Sequence, residues 1–316
     1  MPRLNQWRHE VRFWEKYRLR EDGAFDGYDS ALGWDIDLAG DRVRGSRLHL
    51  PTADRLRIVA VGDSFTFGLD VEESQNFAAE LAARYPSIDV LNMGVPGYGI
   101  DQAYLKYREI GQRFMPDVVI FGVYVGDYER SSMGFTSFAK PQFVVTSDGI
   151  VVAGQPVAPV AQELRRISQS LANRVYLVEI ARNAMYKLAT RDVDRAKFFD
   201  VTDSIVHHIF DTLVNALDSK QSLIVVHIPR AEAFVEHDAL HDEMSRRLLA
   251  IYAALGIAAI DLTTGFVEDL SREQAFLQYY VHESDGSVGH LSHQGHVRVA
   301  DLIESELIKQ GSKLAP

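Results

Sequence analysis

From Leu56 onward, short apolar runs rich in β-branched residues recur along the chain: Leu56–Val61, Ile88–Asn92, Val118–Val125, Leu223–Ile228 and Ile257–Leu262. Short continuous apolar runs suit strands covered on both faces, as in a parallel sheet. Stretches of helical periodicity separate them. Glu73–Arg84 sets Phe77, Leu81 and Ala82 on one face, and Asp101–Phe114 is a second helix candidate. Asp203–Leu217 carries Ile205, Ile209, Leu213 and Leu217, and Asp242–Leu255 carries Met244, Leu248, Ile251 and Leu255. A last helix begins after Ser292 and carries Val299, Leu302, Ile303 and Leu307. This alternation predicts a three-layer α/β/α domain, doubly wound, with a five-stranded parallel sheet and right-handed crossovers.

Two regions fall outside the alternation. Residues 133–200 are too long for one crossover helix. Phe143–Ala153 alternates β-branched residues around Ser147-Asp148-Gly149, a hairpin pattern, and Ala158–Thr190 reads as helix. The expectation is an inserted hairpin-plus-helix segment lying over one end of the sheet. At the other extreme, Met1–Arg20 is locally basic, with Trp7, Val11, Trp14 and Arg18 at helical spacing. It reads either as an arm for a membrane surface or partner, or as a helix whose aromatic stripe packs on the body of the protein. Gly23–Ala53 is an irregular lead-in. The expected organisation is therefore residues 1–54 as N-terminal arm and lead-in, 55–132 with 201–316 as the main domain, and 133–200 as the insertion.

Composition narrows the function classes. The 316 residues carry 33 Lys+Arg against 44 Asp+Glu, a net charge of −11. That balance argues against a nucleic-acid partner, which needs a basic footprint. The absence of Cys excludes disulfides, thiolate metal sites and a Cys nucleophile. The run Val118–Val125 is far shorter than the ~20 apolar residues of a transmembrane helix. No apolar h-region follows Met1, so the expectation is a cytoplasmic protein without a signal peptide. No cofactor motif is present.

Chemistry is expected beyond the carboxyl ends of the strands. Three runs end in small or polar residues: Gly62-Asp63-Ser64, Asn92 through Gly97, and Gly126-Asp127. Ser64 would sit at the turn out of the first strand, exposed at the rim and near helix N–H groups able to stabilise an anion. A nucleophilic Ser needs a base, most often His. The late candidates are His282, His290, His293 and His296.

At this point the motifs resemble a known family. Val61-Gly62-Asp63-Ser64-Phe65-Thr66-Phe67-Gly68 is similar to the first block of the GDSL/SGNH hydrolases. Asn92-Met93-Gly94-Val95-Pro96-Gly97-Tyr98-Gly99 is similar to the second, and His290-Leu291-Ser292-His293-Gln294-Gly295-His296 to the last. Tyr28–Trp34 (YDSALGW) with Lys140-Pro141-Gln142-Phe143 resembles a bacterial branch without a single defined substrate. The resemblance implies a flavodoxin-like sheet and a Ser-His-Asp mechanism acting on small-molecule or glycan esters, with hydrolysis or acyl transfer as outcomes. It makes Ser64 the nucleophile and His290 the general base. The backbone N–H groups of Ser64 and Gly97 become oxyanion donors. The alternative G-x-S-x-G elbow fails, since Thr66 stands two residues after Ser64.

Two departures from the family pattern matter. Its third block supplies an Asn side chain as oxyanion donor just before an Asp. Here Gly126 stands there, or Asp127 if the register shifts by one; Gly126 N–H or the Tyr128 hydroxyl could substitute. The family also places an Asp two or three residues before the His, where this chain has Val288 and Ser287. Asp285 is the expected triad acid, with Glu283 in reserve and a turn role for Asp285 as the alternative. Asp127, Arg130 and Arg230 are substrate-binding candidates, Arg230 equally a partner for a surface acid. Ser64 could simply cap a helix, and Asp63 is expected to tie its loop to backbone N–H groups. His293 and His296 are expected at the surface or as caps. His237-Asp238-Ala239-Leu240-His241 resembles a zinc helix motif but lacks Glu and a third ligand, so no metal is expected. A fold that only binds a glycan or partner protein is the alternative to an esterase.

Overall fold

A computed structural model describes residues 27–36, 40–44, 55–136, 138–159 and 195–311. The expected helix over Met1–Arg20 lies outside them, as does the one over Ala158–Thr190 from Val160 onward. The chain divides into two compact units, Met1–Asp35 with Ser132–Ile205, and Ile36–Ser131 with Val206–Pro316.

The second unit holds a five-stranded sheet. Its strands are β1 (Leu56–Val61), β2 (Ile88–Asn92), β3 (Val118–Tyr124), β4 (Ser222–Ile228) and β5 (Ala258–Asp261). They lie in the order β2-β1-β3-β4-β5, and every pairing is parallel. This is the flavodoxin-like order, with the switch point between β1 and β3. Alternate residues explain the unbroken apolar runs. Ile58, Ala60, Ile120 and Ile224 join the core cluster that includes Phe77, Leu81, Val299, Ile303 and Leu307. Val59, Val61, Phe121 and Val225 are equally buried. Phe121 meets Phe210 at 5.2 Å between ring centroids, and Phe210 in turn meets Tyr252 at 5.2 Å. Both faces of the sheet are thus dry, which makes three layers.

The helices used below are α1 (Ser64–Phe67), α2 (Phe77–Arg84), α3 (Ile100–Glu109), α4 (Asp127–Arg130), α5 (Arg195–Ala216), α6 (Ala239–Ala254), α7 (Arg272–Tyr279) and α8 (His293–Lys309); a further short helix spans Leu262–Gly265. Their ends follow capping chemistry that periodicity does not see. The stretch expected as one helix over Glu73–Arg84 breaks at Asn76, whose side chain accepts from Ala78 N and Ala79 N and starts α2 afresh. The helix expected over Asp101–Phe114 ends at Glu109, and Gly111–Phe114 follows as a separate 3₁₀ turn. Asp238 caps α6 and Ser292 caps α8. α5 begins at Arg195, earlier than the apolar pattern from Asp203 indicates.

In the first unit the strands Gln142–Thr146 and Gly149–Ala153 form the antiparallel hairpin expected around Ser147-Asp148. Tyr28-Asp29 pairs with Gly33-Trp34 in a two-residue ladder. Asp29 Oδ1 accepts from Ala31 N and Leu32 N, both at 2.8 Å, which closes the intervening turn. A Cβ at Gly33 would collide with the Ala139 carbonyl and crowd Lys140. The YDSALGW and KPQF stretches, distant in sequence, are thus neighbours in this unit. No helix among the described residues is long and apolar enough to cross a membrane.

Candidate active site

β1 delivers Ser64 to the carboxyl edge of the sheet. Asp63 Oδ1 accepts from Phe65 N at 2.9 Å and starts α1, so Ser64 is the first residue of a helix of only four residues. The Ser64 N–H makes no hydrogen bond among the described residues.

His290 reaches Ser64 from the far end of the chain. It lies on the strand Val288–Leu291, paired antiparallel with Tyr280–His282. His290 Nε2 is 2.8 Å from Ser64 Oγ. On the other side of the ring, Nδ1 is 2.9 Å from a carboxylate oxygen, and the His290 backbone N–H donates to that same oxygen at 2.8 Å. The carboxylate is Asp70, not Asp285. With a carboxylate at Nδ1, the ring proton sits there and Nε2 is left to accept from the serine hydroxyl. Burial works to raise the Asp70 pKa, but the two hydrogen bonds and the charge of His290 outweigh it and hold the carboxyl below its usual value.

The placement of Asp285 has a simple cause. It sits in the turn of the hairpin, where Gly286 has φ 86°, and its Oδ1 accepts from Ser287 N at 2.9 Å and Ser287 Oγ at 2.6 Å. The strand that begins at Val288 then carries His290 away from the turn at ~3.3 Å per residue. Asp285 therefore takes the turn role. Glu283 belongs to the same turn, closing it through its N–H to Ser287 O at 2.9 Å. No local sequence signal marks Asp70; in the structure Gly289 leaves room for it, since a Cβ there would run into the Asp70 carboxylate.

Aromatic rings line the space beside the pair. Phe65 packs against His290 with centroids 4.7 Å apart and stacks on Tyr124 at 4.8 Å. Tyr124 also explains the third block. A Cβ at Gly126 would stand 2.5 Å from Tyr124 Cε1, so the ring occupies the room that an Asn side chain would need. The Gly126 N–H has no hydrogen-bond partner among the described residues. Gly97 adopts φ 86°, a left-handed conformation that Gly takes without strain. Burial pushes the Tyr124 phenol up to about 12, against the pull of Arg230 and Arg130.

The remaining candidates resolve differently. Asp127 is buried, its Oδ2 accepting from Tyr124 N at 3.2 Å and its Oδ1 lying 2.7 Å from Arg130 Nη1. Arg130 also reaches Asp63 Oδ2 at 3.3 Å and Tyr98 O at 3.1 Å. These two residues hold each other rather than standing open at the rim. Burial, then the Asp63 charge, pushes the Asp127 carboxyl well above its usual pKa, and Arg130 opposes this. Arg230 pairs with Asp238 at 2.9 Å and Glu232 at 3.3 Å, the surface-acid alternative. Tyr128 is fully buried. His237 and His241 turn to separate acids, Asp242 at 2.6 Å and Asp238 at 2.7 Å. His293 meets Glu80 at 2.7 Å near the surface. His296 corrects the surface expectation: it is fully buried, and its Nδ1 accepts from Phe77 N at 3.3 Å.

No protein-family model matches the chain, and no curated protein matches it. Solved structures do. A lipase/acylhydrolase from Enterococcus faecalis is similar at 17% identity and TM-score 0.47, covering 83% of this chain and 99% of that one. A lipolytic G-D-S-L family protein from Veillonella parvula is similar at 13% identity and TM-score 0.43, covering 80% and 99%. One described as a lipolytic protein of the same family, from Desulfitobacterium hafniense, is similar at 15% and 0.42, covering 79% and 99%. Likeness at this level carries nothing about reaction or substrate; the chemistry rests on the side chains around Ser64.

Proposed function

We propose that this chain is a serine esterase of the SGNH type, acting through Ser64, His290 and Asp70. One observation carries the reading: the continuous relay from Ser64 Oγ to His290 Nε2 at 2.8 Å and from His290 Nδ1 to Asp70 at 2.9 Å. Isolated serines that merely cap helices do not need an imidazole and a carboxylate aligned behind them.

In this mechanism Ser64 Oγ attacks the ester carbonyl carbon while its proton passes to His290 Nε2. The carbonyl oxygen becomes an anion that accepts hydrogen bonds from the N–H groups of Ser64, Gly97 and Gly126. Asp70 holds the imidazolium. The intermediate collapses, His290 protonates the departing alcohol oxygen, and an acyl-serine remains. Water, deprotonated by His290, then attacks the acyl carbon and releases the acid. A sugar hydroxyl in place of water would make the same residues an acyltransferase. The family resemblance favours a small acyl group on a carbohydrate or similar polar alcohol.

The test is labelling with a fluorophosphonate, which forms a covalent bond only to an activated serine. Labelling that maps to Ser64 and disappears in Ser64→Ala is expected. Absence of labelling between pH 6 and 9 would overturn the esterase reading and favour a fold that only binds a glycan or partner. The substitution of Gly126 for Asn is the one feature favouring that second reading, because losing an oxyanion donor costs ~10²–10³ in rate elsewhere.

A further inference from the structure

Three loops come together at this site, and each contributes one of the oxyanion positions proposed above: Ser64 after β1, Gly97 after β2 and Gly126 after β3. The β1 and β2 exits are joined directly by Val95 N to Gly62 O at 3.0 Å, and a single nitrogen touches all three loops. Arg130 Nη1 lies 3.3 Å from Asp63 Oδ2, 3.1 Å from the Tyr98 carbonyl oxygen and 2.7 Å from Asp127 Oδ1. Each of those residues is the immediate chain neighbour of an oxyanion position: Asp63 of Ser64, Tyr98 of Gly97, Asp127 of Gly126.

We propose that Arg130 is the positioning residue of the oxyanion hole, a single guanidinium that sets the spacing of its three backbone donors. The inference rests on the esterase reading and deepens it.

Burial shows why the arrangement is built. The Asp63 and Asp127 side chains are 0% and 2% exposed, so the interior holds two carboxylates that only a cation makes tolerable. Both act in two directions. Asp63 turns Oδ1 to the Phe65 N–H and Oδ2 to Arg130, and Asp127 turns Oδ2 to the Tyr124 N–H and Oδ1 to Arg130. The cation is thus tied to backbone on β1's exit and β3's exit at once, and to the β2 loop through Tyr98 O. The β2 loop also lies directly on α4: a Cβ at Gly99 would stand 2.9 Å from Arg130 Cβ and 3.2 Å from its carbonyl carbon. Nη1 carries only two hydrogens, so three acceptors round it must share. Small movements of any one loop are therefore passed to the others. A lysine stem is shorter and more flexible, so its ammonium holds the three acceptors less firmly than the Nη1 that the rigid guanidinium fixes in place. Two of the three acceptors round Nη1, Tyr98 O and Asp127 Oδ1, stand outside the Ser64–His290–Asp70 relay, and the third, Asp63 Oδ2, touches it at 3.4 Å from Ser64 Oγ.

The test uses the full chain, p-nitrophenyl acetate as substrate and phenylboronic acid as a mimic of the tetrahedral anion, on wild type, Arg130→Lys, Arg130→Met and Asp127→Asn. The expected result for Arg130→Met is a kcat lower by about 10² with KM nearly unchanged, and boronate inhibition weakened in parallel. Arg130→Lys falls between it and wild type. The pH dependence of kcat/KM keeps its midpoint in Arg130→Lys, which retains the positive charge beside Asp63. A merely structural role would lower the melting temperature without this split between kcat and KM. If Arg130→Met fails to fold, the near-isosteric Asp127→Asn carries the test, with the same parallel loss of kcat and boronate affinity expected. Unchanged kcat in the folded variants, or a loss in Arg130→Lys accompanied by a shifted pH midpoint, overturns the proposal while leaving the esterase reading intact. Wild type that is not labelled at Ser64 by a fluorophosphonate overturns both.

Discussion

Replacing Asp70 is the sharpest probe of the site, because sequence proximity nominates a different acid. The Asp70 and His290 side chains are 28% and 23% exposed, so the pair is neither in bulk water nor in a dry interior. Unit charges ~4 Å apart attract by about 1 kcal/mol in water and about 4 kcal/mol at an effective dielectric of 20. A charge-assisted hydrogen bond is worth ~1.5–3 kcal/mol net. Partial exposure argues for the middle of that span, about 2–3 kcal/mol, when His290 becomes charged in the transition state. That converts to a loss of roughly 30- to 150-fold in kcat for Asp70→Ala. Asp70→Asn should lose more. An amide nitrogen turned to Nδ1 would favour the other tautomer and put the proton on the nitrogen that must accept it, an error that costs ~10⁴ in a well-studied serine protease. Gly289→Ala should act on the same contact from the opposite side, since its methyl group would displace the Asp70 carboxylate. Asp285→Asn should leave kcat within about twofold, a difference too small to reflect a lost transition-state contact. The assay is the rate of p-nitrophenyl acetate hydrolysis, with fluorophosphonate labelling of Ser64 as a second readout. Full activity in Asp70→Ala, or an equal loss in Asp285→Asn, would refute the reasoning.

Other predictions follow from the same contacts. Gly126→Asn, which restores the family's oxyanion residue on paper, should lower kcat, because its side chain meets the Tyr124 ring; adding Tyr124→Ala should recover activity relative to the single variant. Arg44 bonds to the carbonyls of Phe67 and Gly68 and, at 2.7 Å, of Val71, bracketing Asp70. Arg44→Ala should therefore lower both stability, by ~1–3 kcal/mol, and kcat, measured by thermal unfolding and steady-state rates; a stability loss with unchanged kcat would contradict the bracket. His296, held down to about 3 by burial and then by Arg44, His293 and His290, stays neutral in the folded protein, while in the unfolded chain it takes up a proton below the ordinary histidine value of 6.5. Stability is thus full above that pH and is lost on acidification toward pH 3. The slope is about 1.4 kcal/mol per pH unit from this one group. Urea unfolding at pH 7 and pH 4.5 should show that His296→Asn is less acid-sensitive than wild type, and equal sensitivity would sink the assignment.

By itself the sequence determined the layers, the strand positions, the hairpin in residues 142–153 and two members of the candidate triad. These features are local. A strand covered on both faces must be apolar at every position, and Ser64 and His290 sit beside glycines and caps that their own turns demand. The tertiary structure decided what local pattern could not. Asp70 and His290 are 220 positions apart and meet only because the loop after α1 folds under the strand that carries His290. Nearness along the chain pointed to Asp285, yet an extended strand carries a residue away from its own turn. His296 looked like a surface residue three places from another histidine, but its face of α8 lies against the start of α2. Arg130, read from the sequence as a hand held out to substrate, is turned inward by two buried aspartates. For His296 and Arg130 the deciding quantity is the cost of burying charge and polar groups without partners. Those partners are supplied by distant segments, so only the assembled fold can name them.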